Sequence, residues 1–349
     1  MTIADAEAPA HALTPRGPLS ATTLATLMHA DFGHRRTALV AASRDAVLGS
    51  TDVSDDEDIQ LTLFLLYACA YGSLDWIDPG WEWHPVLIEA RGILEAAFEA
   101  SLRTLVTNPE TPDPDARAIA AALFELTAPT PGPSLSRHIA KHATLEQARE
   151  FLIHRSIYTL READPHSWAI PRLTGRAKAA LVEIQADEYG GGRPERVHAE
   201  IFARTMTGAG LDSTYGAYAD LVPAATLAPM NAMSMFGLNR RLVGAIVGHL
   251  AAFEMTSSLP NRSYGDGFRR LGFGEDVTDY FDEHVEADAV HEQIAGRDLA
   301  GALGEDRPDL LPDIMFGAAA CLYLDDRAAD VMREAFEAGR SALRGGAVA

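Results

Sequence analysis

The sequence predicts an all-α protein, and three observations support that prediction. Alanine, leucine, glutamate and arginine recur at helical spacing from residue 20 onward. Alternation of β-branched and polar residues, which would indicate strands, is nearly absent. The chain has 349 residues, which is long enough to bury a large core, so a bundle of helices is the expected architecture.

Start and stop signals place the helices along the chain. Residues 1–18 are rich in alanine, proline and acidic residues and are expected to be disordered. A turn rich in proline, glycine and tryptophan is expected at residues 76–83, and a loop at 258–267. Helices are expected over residues 19–48, 56–71, 85–107, 114–127, 144–163, 171–188, from 194 onward, 223–258, around 284, and as a hairpin over 309–343.

The clearest break in the chain is a linker at residues 128–135, which contains prolines and a glycine that no helix could hold. It separates an N-terminal helical region, residues 19–127, from a C-terminal domain at residues 136–345. Every residue that suggests chemistry follows the linker. The C-terminal domain is therefore the predicted site of function.

Composition excludes several classes of partner. The formal net charge is −21, and no cluster of lysine or arginine offsets it, so neither nucleic acid nor an anionic membrane is an expected partner. The two cysteines, Cys69 and Cys321, lie in apolar runs without metal-binding or redox spacing, which predicts reduced core thiols. The first residues lack the pattern of a secretory signal, so a cytoplasmic location is expected.

The strongest chemical pattern is His284-x3-Asp288-x2-His291. At about 100° per residue, these three side chains fall within about 60° of one another on one helix face. Val277 and Phe281 extend that face with apolar side chains, so the polar groups are predicted to point toward a core. A divalent metal is the simplest partner for buried imidazoles beside a carboxylate. A hydrogen-bonded histidine and aspartate face without metal is the alternative.

Three further residues are predicted to face the same core. Glu162 shares a helix face with Phe151 and Tyr158, and Glu188 aligns with apolar residues while its neighbours Glu183 and Asp187 point elsewhere. His198 lies on the apolar side of the helix that follows. For each of these residues, a core hydrogen bond is the alternative to metal binding. The roles of Tyr158 and Glu254 stay open, since either could serve the site or simply fill the core.

In residues 140–345 the chain resembles the haem-oxygenase-like di-iron oxidases and oxygenases, also called iron-containing redox enzymes. The resemblance is carried by a glutamate that closes one helix, a Glu-Tyr-Gly-Gly segment with a histidine ten residues after its glutamate, and the His-x3-Asp-x2-His motif. It implies a haem-oxygenase-like helical bundle with an N-terminal helical extension that supports a homodimer. It also implies six metal ligands: Glu162, Glu188, His198, His284, Asp288 and His291.

The same resemblance implies two Fe(II) ions, with O₂ as co-substrate and an external electron donor. Family members oxidise small molecules such as amines, amino acids and fatty acids, by N-oxygenation or by oxidative C–C cleavage. Mixed carboxylate and imidazole ligands suit iron that changes its oxidation state. No motif names the substrate. Five arginines are candidates for binding a substrate carboxylate: Arg240, Arg241, Arg262, Arg269 and Arg270.

Two other functions remain open at this stage. The first is a mononuclear Fe(II) enzyme that uses only His284, Asp288 and His291, with the glutamates in structural roles. The second is a non-catalytic or metal-free helical protein of the same fold. Members of that kind that degrade thiamin would need a nucleophilic cysteine near acidic partners, whereas Cys321 lies in an apolar run and Cys69 lies outside the matching region.

Overall fold

The computed structural model describes residues 13–28, 36–107 and 109–346, without the side chains of residues 36 and 286–289. All regular structure in this part of the chain is helical, which confirms the all-α prediction. The α-helices, numbered in chain order, are α1 Pro18–Leu27, α2 Arg36–Gly49, α3 Glu57–Tyr71, α4 Pro85–Leu105, α5 Ala116–Leu126, α6 Leu135–Lys141, α7 Leu145–Thr159, α8 Asp164–Ser167, α9 Gly175–Glu188, α10 His198–Gly208, α11 Ala224–Leu238, α12 Val243–Arg270, α13 Glu275–Gln293, α14 Ala302–Asp306 and α15 Leu311–Glu337. A π-helix, Ile294–Gly301, joins α13 to α14.

Four predicted segments differ from the structure, and two of them are helices that end early. The helix expected over 19–48 is two helices, α1 and α2, and the residues between 29 and 35 lie outside the described part. The helix expected over 223–258 ends at Leu238, because Asn239 adopts an extended backbone and the Arg172 side chain donates to the carbonyls of Gly237 and Leu238.

The loop expected at residues 258–267 is helical. Pro260 lies inside α12, which runs on to Arg270 because its second half packs closely against other helices. A Cβ on Gly267 would lie 2.5 Å from the carbonyl oxygen of Ile139 in α6. The hairpin expected at 309–343 is instead the single helix α15. At residues 258–267, tertiary contacts therefore outweigh the local signals of proline, glycine and serine.

One hydrophobic core joins the N-terminal helical region to the C-terminal domain. Leu19, Ile59 and Phe98 belong to the same buried cluster as Phe236 and Phe316. A second cluster, around Phe151, Phe202, Phe268 and Phe281, fills the other end of the bundle. The residues on either side of the predicted linker 128–135 therefore fold against each other. Cys69 and Cys321 are buried free thiols, as predicted.

Helix α12 runs through the middle of the bundle. By length and composition alone, the segment Arg240–Arg270 could cross a membrane, but 67% of its most apolar window is buried inside the protein, as in a core helix. At Gly248, an added Cβ would lie 1.8 Å from the carbonyl oxygen of Ile314 in α15, and at Gly317 it would lie 2.0 Å from that of Ala245. Backbone therefore touches backbone where α12 and α15 cross.

Candidate metal centre

Two clusters of metal-ligand side chains meet in the bundle and share Glu188. We name them subsite A, formed by Glu162, Glu188, His198 and His284, and subsite B, formed by Glu188, Glu254 and His291. Within each subsite, the chosen ligand atoms all lie within 4.8 Å of one another, and every one of these residues is buried. Glu188 thus lies where it could bridge two cations.

A strained turn carries Glu162. Helix α7 ends at Thr159, four residues before the predicted end at 163, so Glu162 lies in the turn that follows and not on the helix. Ala163 has a positive φ of 72°, which is unfavourable for alanine, and the Gln185 amide donates to its carbonyl at 2.8 Å. The Tyr280 hydroxyl lies 2.9 Å from both carboxylate oxygens of Glu162. These bonds fix the carboxylate toward subsite A.

A glycine turn brings Glu188 to His198. Glu188 ends α9 and His198 begins α10, with Gly190 between them at a φ of 74°. A Cβ on Gly190 would lie 2.7 Å from the backbone nitrogen of Val197, so only glycine fits this approach of the two helix ends. As a result, the His198 Nδ1 atom lies 2.9 Å from Oε2 of Glu188.

Helix α13 contributes one histidine to each subsite. The Nδ1 atom of His284 lies 2.7 Å from the carbonyl oxygen of Tyr280, so it donates there and Nε2 faces Glu162 at 3.5 Å. His291 lies seven residues further on, which is about 10 Å along the helix axis, and its Nδ1 faces Glu254 at 3.4 Å. Helical phase groups these histidines, but the rise of the helix separates them. The side chain of Asp288 lies outside the described residues.

Glu254 is the ligand-type residue that sequence reasoning left open. It lies on α12, which contains a long apolar stretch, and is only 5% exposed. A carboxylate in the middle of such a helix is costly to bury without a partner, and that cost is the signal that could have found it. The structure gives it His291 as a partner.

Asp187 also takes part in the site, although its side chain is 63% exposed and points outward as predicted. Its Oδ2 atom lies 3.1 Å from Nε2 of His291. A carboxylate on the outer nitrogen fixes the tautomer of a metal-binding histidine and leaves the inner nitrogen free to coordinate. Sequence reasoning missed this contact because phase alone gave Asp187 a purely solvent-facing role.

The buried carboxylates and histidines of the site shift one another's pKa values. Burial lowers the pKa of His291, but Glu254, Asp187 and Glu188 outweigh it and raise that pKa to about 9. Burial likewise opposes the charged form of Glu162, yet the nearby His284 holds the pKa of that carboxyl below its usual value. Burial raises the pKa of Glu254, and His291 offsets only part of the rise. Cations would take over the role of these protons.

The residues present fit iron. Among the described side chains, the buried Nδ1 atoms of His198 and His291 lack a hydrogen bond of acceptable geometry, although carboxylates lie nearby. Such orphaned nitrogens aimed at carboxylates are ready to accept a cation. Carboxylate and imidazole donors without thiolate suit iron in both the ferrous and ferric states.

A cavity of about 300 Å³ lies beside subsites A and B. Tyr158, Phe253 and Ser257 line both this cavity and the small space among the ligands. The rings of Tyr158 and Phe253 pack edge to face with their centres 5.1 Å apart. Tyr158 therefore lies between the cavity and the ligands, which answers the question that the sequence left open about its position.

The fold and the site together define a helical protein with buried carboxylate and histidine clusters, and comparison with known proteins agrees with that class. The family model described as "Iron-containing redox enzyme" matches residues 149–326, half of the chain. The chain therefore belongs to the iron-containing redox enzyme family, a family of oxidoreductases.

The chain is similar to a curated relative and, in its fold, to a solved structure. A nitrosourea synthase from Streptomyces achromogenes subsp. streptozoticus is 30% identical over 172 residues, which cover 49% of this chain and 36% of that protein. The chain thus matches about a third of that relative's length. A CADD-like protein of unknown function from Nostoc punctiforme is 15% identical, with a TM-score of 0.49, and the match covers 63% of this chain and 97% of that one.

Proposed function

We propose that the protein is a non-haem di-iron oxidase or oxygenase that uses O₂ to oxidise a small molecule. The observation that carries the proposal is the pair of buried ligand clusters that share Glu188. In this proposal, subsite A holds one Fe(II) and subsite B holds the other, with Asp288 as a further ligand on α13. Two ferrous ions supply electrons to O₂, which is the chemistry that the protein itself lacks.

The alternative of a mononuclear site on α13 has less support. It requires His284 and His291 to bind one ion, yet the two histidines fall in different clusters. The metal-free alternative has less support as well, because it leaves two buried imidazole nitrogens facing carboxylates without a hydrogen bond among the described residues. Neither alternative explains why Glu188 stands between both clusters.

The residues of the chain have separate tasks in this proposal. The Tyr280 carbonyl and Asp187 fix the tautomers of His284 and His291 so that each directs a lone pair inward. The Tyr280 hydroxyl orients Glu162. Tyr158 and Phe253 cover the ligands on the side of the cavity, which keeps bulk water from the reacting centre.

The substrate reaction is proposed to be oxygen transfer to nitrogen or oxidative C–C cleavage of an amine, amino acid or fatty acid. The name of the nitrosourea synthase that resembles this chain supports nitrogen chemistry. When one oxygen atom enters the substrate and the other leaves as water, two electrons and two protons are consumed in addition. An external electron donor is therefore part of the oxygenase proposal.

Iron loading under argon tests the proposal. Purified protein incubated with Fe(II) and desalted should retain two iron ions per chain, and mixing with oxygenated buffer should consume O₂. His198→Ala should lose the iron of subsite A, and Glu254→Ala should lose that of subsite B. Retention of a single iron in the wild type would favour the mononuclear alternative, and retention of none would exclude both metal proposals.

A further inference from the structure

Three charged residues line the cavity beside the candidate metal centre, Arg155, Asp325 and Asp326, and no ion pair joins Arg155 to Asp325 among the described side chains. Arg155, on α7, and Asp325, on α15, both line the cavity and are half-buried. Among the described residues, no acceptor forms a hydrogen bond or an ion pair with the Arg155 guanidinium. Glu162 and Asp325 act on it only through longer-range attraction, which favours its charged form. From the part of the chain that the structure describes, Asp325 accepts only the weak thiol hydrogen bond of Cys321, with 3.8 Å between sulfur and oxygen.

Both groups are costly to leave in this state. Burial opposes the charge of Arg155, and although Tyr280, Tyr264, Glu162 and Asp325 outweigh it and raise its pKa, the N–H donors of its guanidinium have no matched acceptor among the described residues. Burial also raises the pKa of Asp325 to about 6, against the lowering effect of Arg155. A ligand with a carboxylate for Arg155 and an ammonium group for Asp325 would remove both costs at once.

Besides Arg155 and Asp325, the carboxylate of Asp326 lines the cavity, and most of the remaining wall is apolar. Phe151, Ile157, Met230, Met233 and Leu322 line it with apolar surface. Tyr158 and Phe253 line both the cavity and the small space among the ligands, so they lie between the two. A molecule held by its charged end at Arg155 and Asp325 would therefore lie along apolar walls and direct its other end at the iron ligands.

We propose that Arg155 and Asp325 form a zwitterion-binding subsite, and that the substrate is an amino acid bound by its carboxylate and its ammonium group. This inference rests on the proposed function and narrows its substrate class. Arginine matches the planar carboxylate with two parallel N–H donors, and the separate aspartate distinguishes an amino acid from a simple carboxylic acid.

The arginines singled out from the sequence are placed differently. Arg241 pairs with Glu99 at 2.5 Å, Arg269 pairs with Asp282, and Arg270 donates to the carbonyls of residues 139, 140 and 143. Arg240 and Arg262 do not line the cavity. Sequence reasoning passed over Arg155 because nothing in its helical phase marks a cavity.

Binding measurements that avoid turnover test this subsite. The full-length protein, loaded with Mn(II), is titrated by calorimetry with L-phenylalanine, L-tyrosine, L-leucine, L-methionine, L-lysine and L-arginine. The wild type should bind at least one of these amino acids. The tightest binder is then compared with its amine, which lacks the carboxylate, and with its carboxylic acid, which lacks the ammonium group; for L-phenylalanine these are phenethylamine and 3-phenylpropanoate.

Two variants test the contribution of each charged residue separately. Arg155→Gln should weaken binding of the amino acid and the carboxylic acid by about 10- to 100-fold, the size of a lost charged hydrogen bond, and leave the amine unchanged. Asp325→Asn should weaken the amino acid and the amine and leave the carboxylic acid unchanged. Arg262→Gln and Asp330→Asn, exposed positions on α12 and α15, serve as controls and should bind like the wild type.

The outcomes distinguish this inference from the proposed function. The zwitterion subsite is wrong if none of the six amino acids binds to the wild type, whatever the iron content. It is also wrong if each variant loses affinity for the carboxylic acid and for the amine to the same extent. If the selective pattern is found in a protein that retains no Fe(II), the subsite stands and the proposed function fails. The iron content and the melting temperature of each variant are measured to check that the metal centre and the fold are intact.

Discussion

Subsites A and B differ in how the fold gathers their residues. In subsite A, Glu162 lies in a turn, and Glu188 and His198 lie at helix ends held together by Gly190. In subsite B, Glu254 and His291 lie within continuous helices, but His291 is held from outside by the exposed Asp187. Subsite A thus depends on backbone geometry, whereas subsite B depends on a solvent-facing hydrogen bond.

The largest effect is expected at the residue that both subsites share. Glu188→Ala should reduce iron from two per chain to less than one, because each cluster loses a carboxylate and the charge that balances its cation. Iron analysis after anaerobic loading measures the loss. Glu183→Ala, on the exposed face of the same helix, is the matched control and should retain both ions. If Glu188→Ala kept one tightly bound iron, Glu188 would belong to a single subsite.

A change in the glycine turn should move His198 away from Glu188 and so damage subsite A, to which His198 alone belongs, more than subsite B, which shares only Glu188. Gly190→Ala places a methyl group against the Val197 backbone and forces alanine into a positive φ, whereas Gly191→Ala, at a φ of 58°, meets no atom within 4 Å. Backbone strain of about 1–3 kcal/mol is expected for both, with the clash added at Gly190. Iron analysis should show the loss of one iron in Gly190→Ala and none in Gly191→Ala, and melting curves should show a larger loss of stability in Gly190→Ala. Identical behaviour of the two variants would mean that the turn does not position Glu188 and His198.

Removal of the exposed hydrogen bond should affect only subsite B. Asp187→Ala leaves the ring of His291 free to rotate and to change tautomer, and the loss of such a contact lowers metal affinity by about 10- to 100-fold. Calorimetric titration with Mn(II) should therefore show one weakened and one unchanged site. The alanine variant at Glu183 again provides the comparison. An unchanged titration would mean that Asp187 does not support metal binding by His291 and is only a solvent-facing residue, as helical phase predicts.

The smallest effect is a pH dependence of subsite B. Because the pKa of His291 is raised to about 9, protons compete with a cation for its Nδ1, and affinity should rise by about tenfold per pH unit up to that value. In the metal-free protein the sign is reversed: the protonated histidine stabilises the fold fully below the pKa of an unfolded histidine, and this contribution is lost as the pH rises through 9. Titration of His198→Ala with Mn(II) at several pH values isolates subsite B, and a flat profile would contradict the prediction.

Helical periodicity was sufficient to predict the fold class and most helices. It also brought Glu162, Glu188, His198, His284 and His291 toward one core, and the structure places these side chains in two adjoining clusters. Whether they bind iron remains a proposal. The position of Asp288 within the site also stays a prediction, as do the homodimer and the cytoplasmic location.

Periodicity could not predict contacts that arise between helices. The phase of α13 joined His284 to His291, although the rise of about 10 Å between them places them in separate subsites. Contacts with other helices give Glu254 and Tyr280 their partners and place Arg155 at the cavity. The pattern of a single helix does not predict how that helix packs against others. The same limit explains why Pro260 and its polar neighbours predict a loop, although α12 continues through them.

The glycine crossing of α12 and α15 sets a distance as well as a contact. Glu254 and Asp325 follow Gly248 and Gly317 on these two helices, so direct backbone contact fixes the separation between subsite B and the zwitterion subsite. Flexible side chains at the crossing would let the two ends drift, but touching backbones leave no such freedom. Homologous amino acids that differ by one methylene group would therefore place different atoms at the metal centre, and the protein should discriminate among them by chain length.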